Sequence, residues 1–141
     1  MDKVAAVERV TQNRIVKLFK DKLNYTYLGN WEERPNNSNI EEEVLKTYLS
    51  KAGYSDELIK RGIYKLQSAA SNNDGVLYDN NREVYKLLRY GVEVTASASD
   101  KYERLHFINW EEPEKNDFSI AEEVTYHGNR DKRPDIVIYI N

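Results

Sequence analysis

The 141 residues are 40% hydrophobic and 32% charged, a balance typical of one globular domain and not of a disordered or membrane-spanning chain. The absence of cysteine excludes disulfide frameworks, thiolate zinc sites and cysteine nucleophiles, so oxygen ligands are the expected chemistry for any bound metal. The net charge of -3 argues against non-specific coating of nucleic acid, although it permits a local basic patch.

The amino terminus and the apolar runs bear on the cellular compartment. The opening stretch, MDKVAAVERV, carries charges where a secretion signal needs an unbroken apolar segment. No apolar run reaches the roughly 20 residues that a membrane helix requires. We therefore expect a cytoplasmic protein without a membrane partner.

The amino-terminal segment is predicted to be a helix followed by a short strand. Residues 4–23 form an amphipathic pattern, with Asn13 as a candidate break. The buried side of this helix is predicted to carry Val7, Phe19 and Leu23. The stretch YTYLG, residues 25–29, alternates aromatic and polar side chains, which indicates a strand that ends at Gly29 and Asn30.

Three further helices are predicted in the middle of the chain. Ser38, three residues ahead of Glu41, is a capping-box signature for a helix that ends at Gly53. Ser55 and Asp56 begin the next helix, whose apolar stripe is Leu58, Ile59, Ile63, Leu66 and Ala70. The last helix begins near Asn81 and ends at Gly91, and its stripe is Val84, Leu87 and Leu88.

The pattern then changes from helical to strand periodicity. Strands are predicted at residues 102–110, 118–126 and 134–141. The compact connection HGNRDKR favours an antiparallel hairpin between the last two strands. We therefore predict an α+β fold and a single domain, residues 1–141, with a helical part at 1–91 and a sheet part at 92–141.

The last strand begins with a carboxylate and continues as an isoleucine ladder. Ile136, Ile138 and Ile140 share one face, which is predicted to pack against helices. Asp135 follows Pro134, and a carboxylate fixed to a rigid strand is suited to holding a hard cation. A turn-ending role, or a pair with Arg133, is the alternative that the residue alone favours.

Several stretches, taken in order, resemble the amino-terminal region of the R (restriction) subunit of type I restriction enzymes. They span nearly the whole chain and are RVTQNRIVKLFKDKLNYTYLGNW, NSNIEEEVL, NREVYKLLRYGVEV, FINWEEPEKNDFSIAEEVTYHG and KRPDIVIYIN. The order and spacing of the set make the resemblance more specific than any single motif in it.

The resemblance implies a nuclease of the PD-(D/E)xK type with a partial restriction-endonuclease-like core. In that family a Pro-Asp and a later acid-x-Lys lie on neighbouring strands and bind magnesium, which maps the catalytic acid and metal ligand onto Asp135. The acid-x-Lys strand and an ATP-driven translocase would follow residue 141, so we expect a truncated piece without nuclease activity. Methyltransferase and specificity subunits and double-stranded DNA are the implied partners, with Mg²⁺ as cofactor and ATP for the parent protein only.

Other acids could complete the metal site. Glu83 is a candidate accessory acid, although an ordinary solvated position near a helix start is the favoured interpretation. A hairpin register that pairs Thr125 with Asp135 would place Glu123 on the face of Asp135, and a slip of one residue would present Glu122 instead. The sequence does not choose between them.

Candidate nucleic-acid contacts cluster at the tip of the predicted hairpin. Arg130, Lys132 and Arg133 could contact DNA phosphates, although exposed turns often carry charge for solubility alone. The tryptophans and tyrosines are expected in the core instead of in base stacking, and the two histidines are expected to be structural or surface residues. A non-catalytic docking or DNA-binding module is the alternative function.

Overall fold

The computed structural model describes residues 2–72 and 74–141. Its helices are α1 (Lys3–Lys17), α2 (Glu42–Lys51), α3 (Asp56–Ala70) and α4 (Leu77–Tyr90), and its strands are β1 (Thr26–Asn30), β2 (Val92–Val94), β3 (Glu103–Leu105), β4 (Phe118–Glu122) and β5 (Ile136–Ile140). This order confirms the predicted α+β class. Within the described ranges, no helix combines the length and the apolar character needed to cross a bilayer.

The chain divides into two compact units. Unit 1 contains the described residues up to 39 together with 117–140, and unit 2 contains residues 40–116 together with Asn141. Unit 1 therefore combines α1 and β1 with the last two strands, although they are far apart in sequence. Unit 2 holds the three middle helices and the small sheet of β2 and β3.

α1 runs without the break considered at Asn13, and residues 18–22 continue it as one π-helical turn. Its predicted buried side is wrong, because Val7 and Leu23 are exposed, and the residues that α1 buries are Gln12 and Val16. These two lie four residues apart on one face of the helix. A polar side chain therefore occupies the centre of the contact face.

The ends of α2 and α3 show which local signals were reliable. α2 begins at Glu42, so the predicted capping box is wrong: Glu41 is at the N-cap position and makes no side-chain cap bond. Gly53, at φ +100°, follows its C-terminus as predicted. Ser55 caps α3 by accepting a hydrogen bond from the Leu58 backbone N–H at 3.4 Å.

α4 begins at Leu77, one turn before the predicted start, and ends at Gly91. The strand predicted at 102–110 is reduced to β3, which pairs antiparallel with the unpredicted β2. The two strands complete a core with α2 and α3 whose fully buried members include Leu49, Leu105 and Phe107. This core is large enough to stabilise unit 2 by apolar burial.

The sheet of unit 1 has the strand order β1-β4-β5. β1 runs parallel to β4, and β4 pairs antiparallel with β5, which confirms the predicted hairpin. The register pairs Glu122 with Ile136, two residues away from the pairing of Thr125 with Asp135 that was considered. Because the strand order is β1-β4-β5, β5 lies at the edge of the described sheet.

The predicted burial of β5 is wrong about which face is inside. Tyr139 is buried and Val137 half-buried in a core with Trp31. Ile138 and Ile140 are instead 45% and 50% exposed. Both faces of β5 are apolar, so alternation alone could not decide which one would be covered.

Candidate functional site

Two consecutive carboxylates turn toward the same side chain at the end of β4. Glu122 and Glu123 are both buried, and the Nε2 group of Gln12 donates to Glu122 Oε1 at 3.1 Å and to Glu123 Oε1 at 3.2 Å. Neighbours on a regular strand would point to opposite faces. Glu123 has φ +50°, which interrupts the strand geometry and allows both acids to meet one donor.

Glu122 is also bound by a tyrosine from β1. The Tyr27 hydroxyl donates to Glu122 Oε2 at 2.5 Å, and Lys20 Nζ lies 4.6 Å from the centre of the Tyr27 ring. Burial, the hydrogen bond to Glu122 and the charge of that carboxylate raise the pKa of Tyr27 to about 12. The phenol therefore remains protonated at neutral pH and serves Glu122 as a donor.

Glu123 is neutralised by arginines. Arg133 Nε lies 3.1 Å from Glu123 Oε2, and Arg9 Nη1 lies 4.0 Å from Glu123 Oε1. Arg133 also pairs with Glu32. A buried acid with these partners is well compensated, so Glu123 has little remaining capacity to balance an added positive charge.

Asp135 immediately precedes β5 and lies opposite the end of β4. Its main chain is hydrogen-bonded and its side chain is exposed. Its carbonyl oxygen accepts from the Glu123 backbone N–H at 2.9 Å and from Gln12 Nε2 at 3.4 Å. Its carboxylate makes no hydrogen bond or ion pair with the residues described, so the alternative pairing with Arg133 is not observed. The side chain is accessible to a ligand from solvent.

The predicted phosphate-binding residues lie in the connection between β4 and β5. Arg130 and Lys132 are exposed, and the Lys132 backbone forms a bridge with Tyr126 at 2.7 and 2.9 Å. Arg133 is the member of this group that is already paired with carboxylates. The structure thus brings Arg133 to Glu123 and leaves the other two cations on the surface of the connection.

The remaining candidates play no part in this cluster. Glu83 lies in the second turn of α4 in unit 2 and pairs with Lys86 at 3.1 Å. His127 is exposed and lies 3.2 Å from Asp131, and His106 is exposed in unit 2. Trp31 is buried as expected, whereas Trp110 is 48% exposed, so the prediction of a core position is wrong for Trp110.

Gln12 and Tyr27 are the site residues that the sequence did not reveal. Gln12 lies four residues before Val16, so an amide in the apolar stripe of an amphipathic helix was a signal that could have been used. Tyr27 lies on a strand where aromatic residues are common, and its sequence context does not distinguish it. Both act by holding Glu122, which connects α1, β1 and β4.

The donor atoms of this cluster are oxygens, as Mg²⁺ prefers, but their number is small for a complete site. Across residues 2–72 and 74–141, no group of three or more His, Cys, Asp or Glu side chains is arranged to hold a metal ion. The exposed carboxylate of Asp135 could offer one oxygen ligand. A full coordination shell requires ligands that these residues do not supply.

Comparison with known protein families identifies the family of the chain. The family model for the type I restriction enzyme R protein N terminus matches residues 6–141. The chain belongs to this family. The resemblance predicted from the sequence is thereby confirmed over nearly its full length, and the cluster of Gln12, Glu122 and Glu123 lies inside the matched region of the R protein N terminus. No curated protein and no solved structure matched the chain.

Proposed function

We propose that this region is the first half of a nuclease site in a type I restriction R subunit, and that the parent protein hydrolyses phosphodiester bonds in double-stranded DNA. Asp135 is the proposed catalytic acid and magnesium ligand. The observation that carries the proposal is the contrast between Asp135 and its neighbours, since Glu122 and Glu123 are buried and bonded while Asp135 is exposed and unpaired within the described residues. Membership of the R-protein family supports it.

The chain's own residues perform three tasks in this proposal. Asp135 holds a ligand atom at the head of a strand whose backbone is fixed by Glu123 and Gln12. Gln12 positions the two buried acids and the Asp135 main chain together, so that the site is organised before a ligand binds. Arg130 and Lys132 attract DNA phosphates, with Arg133 holding Glu123.

The metal supplies charge compensation at the phosphate and an activated water when it is bound. The remaining ligands and the lysine belong, in this proposal, to an acid-x-Lys strand of the parent protein that pairs beside β5. The position of β5 at the end of the described strand order β1-β4-β5 leaves an edge at which such a neighbour could pair. ATP-driven translocation is assigned to other parts of the parent, and the methyltransferase and specificity subunits are its proposed partners in the cytoplasm.

The test uses the complete R protein assembled with its partner subunits, Mg²⁺, ATP and plasmid DNA. Asp135→Asn should abolish cleavage, with a loss of more than about 100-fold, because the amide loses the charge that binds the cation. Asp131→Asn is the matched control, since Asp131 is an exposed acid in the same connection and pairs with His127. Cleavage at the wild-type rate by the Asp135 variant would refute the assignment.

The 141-residue chain alone should not nick DNA. Its described residues offer no metal site with three or more acidic or histidine ligands, and hydrolysis requires more ligands than Asp135 supplies. To measure this, supercoiled plasmid is incubated with Mg²⁺ and a molar excess of the purified chain, and nicked plasmid is detected by gel electrophoresis. Magnesium-dependent nicking that Asp135→Ala removes would contradict the expectation.

A further inference from the structure

Unit 2 contains a pocket that the nuclease proposal does not use. Its volume is about 420 Å³ and its walls come from the end of α2, from α4 and from the segment after β3. Its polar and aromatic lining residues include Tyr54, Arg89, His106, Asn109, Trp110 and Glu111. All of them belong to unit 2.

Trp110 presents a fixed aromatic surface in this pocket. Its Nε1–H donates to the Leu88 carbonyl oxygen at 2.9 Å, which sets the orientation of the indole. Nevertheless the residue is 48% exposed, whereas Trp31 in the core of unit 1 is 8% exposed. A large ring that is held in place but left open to solvent is suited to stacking with another flat ring.

Arg89 adds a positive charge next to this ring. Its guanidinium lies 5.2 Å from the centre of the Trp110 ring and 5.9 Å from that of Tyr90. It takes part in none of the ion pairs found in the described part of the chain. An arginine that lies near aromatic rings and is not paired with a carboxylate can bind a phosphate through its planar fork of donors.

Hydrogen bonds hold several polar residues in the other walls of the pocket. The Tyr54 hydroxyl accepts from the His106 backbone N–H at 3.0 Å, which ties the segment after β3 to the end of α2. Asn109 is held by the buried Asn116, which accepts from the Asn109 backbone N–H at 2.8 Å and donates to its carbonyl at 2.9 Å. Glu111 is an exposed lining residue, and its carboxylate supplies an acceptor of the kind that exocyclic amino groups of bases require.

We propose that this pocket binds a nucleobase that carries a phosphate, with the base stacked on Trp110 and the phosphate bound by Arg89. The proposal goes beyond duplex cleavage, because a base can reach an indole only when it is unstacked from its neighbours. Such a base can come from single-stranded DNA or from a free nucleotide. The two sources share the chemistry of an aromatic ring next to an anion.

The test measures binding of three probes to the full 141-residue chain. A fluorescein-labelled 12-nucleotide single strand and its duplex are titrated by fluorescence anisotropy. Nucleoside monophosphates are titrated by isothermal titration calorimetry, whose signal does not depend on the tryptophan that the variants remove. Trp110→Ala should weaken binding of the favoured probe at least about tenfold, as alanine does at stacking positions. Arg89→Ala should also weaken binding. For a single strand, it should reduce the slope of log binding constant against log salt concentration by about 0.7.

Arg82 and Tyr78 provide a matched control, because they form a similar exposed cation–π pair on α4, at 5.9 Å, outside the pocket. Arg82→Ala and Tyr78→Ala should bind as the wild type does. Trp110→Phe retains a ring and should keep more affinity than Trp110→Ala, which separates stacking from a folding defect.

The outcomes distinguish single-stranded DNA from a free nucleotide as the source of the base, and they include results that contradict the proposal. Preference for the single strand over mononucleotides identifies a strand, comparable affinity for mononucleotides identifies a free nucleotide, and both support the proposal. Absence of binding by any probe, duplex binding equal to single-strand binding, or equal losses in the Arg82 and Arg89 variants would overturn it. None of these results depends on cleavage, so the nuclease proposal is tested separately.

Discussion

Replacement of Gln12 by leucine tests whether the amide holds the acidic cluster together. Gln12 Nε2 makes hydrogen bonds of 3.1 and 3.2 Å to two buried carboxylates. A hydrogen bond to a charged group contributes about 1.5–3 kcal/mol, and the lower figure applies here because Glu122 keeps Tyr27 and Glu123 keeps Arg133. Two such bonds give an expected loss of about 3 kcal/mol in the free energy of unfolding.

The assay is urea unfolding at pH 7 in a Trp110→Phe background, where Trp31 is the one remaining tryptophan and reports on unit 1. Leucine has a volume close to that of glutamine, so the loss reflects hydrogen bonding more than cavity formation. The neighbouring Asn13→Leu is the control, since Asn13 is exposed on the same helix, and it should change stability by less than about 0.5 kcal/mol.

A double-mutant cycle with Glu123→Ala, which removes the acceptor, isolates one of the two bonds and should give a coupling energy of about 1.5 kcal/mol. If Gln12→Leu cost no more than Asn13→Leu, the cluster would not depend on the amide. The proposed preorganisation of the site would then lose its structural basis.

Two further predictions concern single residues. Because the pKa of Tyr27 is raised to about 12 from its ordinary 10.0, its stabilising effect is complete below pH 10 and is lost as the pH rises toward 12. The wild type should therefore lose stability more steeply over this range than Tyr27→Phe, and urea midpoints at each pH measure the difference; parallel curves would refute it. Gly91→Ala should destabilise unit 2 by about 2 kcal/mol or more, because φ is +78° and the added Cβ would lie 2.7 Å from the Leu105 carbonyl oxygen. Thermal unfolding of the two glycine variants measures this. Gly128→Ala, whose added Cβ would have its nearest neighbour at 3.8 Å, should be close to neutral, and equal losses in the two variants would contradict the steric argument.

Local signals predicted the element types better than the buried faces. The start of α3 at Ser55 and Asp56, the end of α2 before Gly53 and the hairpin of β4 and β5 were predicted correctly, because each depends on chemistry within a few residues. The three-residue β2 was missed, since so short a strand is stabilised by its pairing with β3 and carries little pattern of its own. The strand predicted at 102–110 ends early because Asn116 holds the segment around Asn109 in a turn.

The candidate site was predictable only in part. The Pro-Asp pair identifies Asp135 as a candidate from the sequence. The convergence of Glu122 and Glu123 on Gln12 depends on the positive φ of Glu123, which no sequence pattern predicts. The register of β4 on β5 also differs by two residues from the one that was considered. Gln12 is more than one hundred positions away from its partners in the chain, so only the fold could bring it to them.

The most direct test of the account measures cleavage and ATP hydrolysis together in the complete restriction complex carrying Asp135→Asn. A nuclease ligand should be needed for bond breaking alone, so we predict that cleavage is lost while DNA-dependent ATP hydrolysis stays within about twofold of the wild type. Retention of both activities, or loss of both, would contradict the role of Asp135 as a metal ligand and would favour a docking module instead.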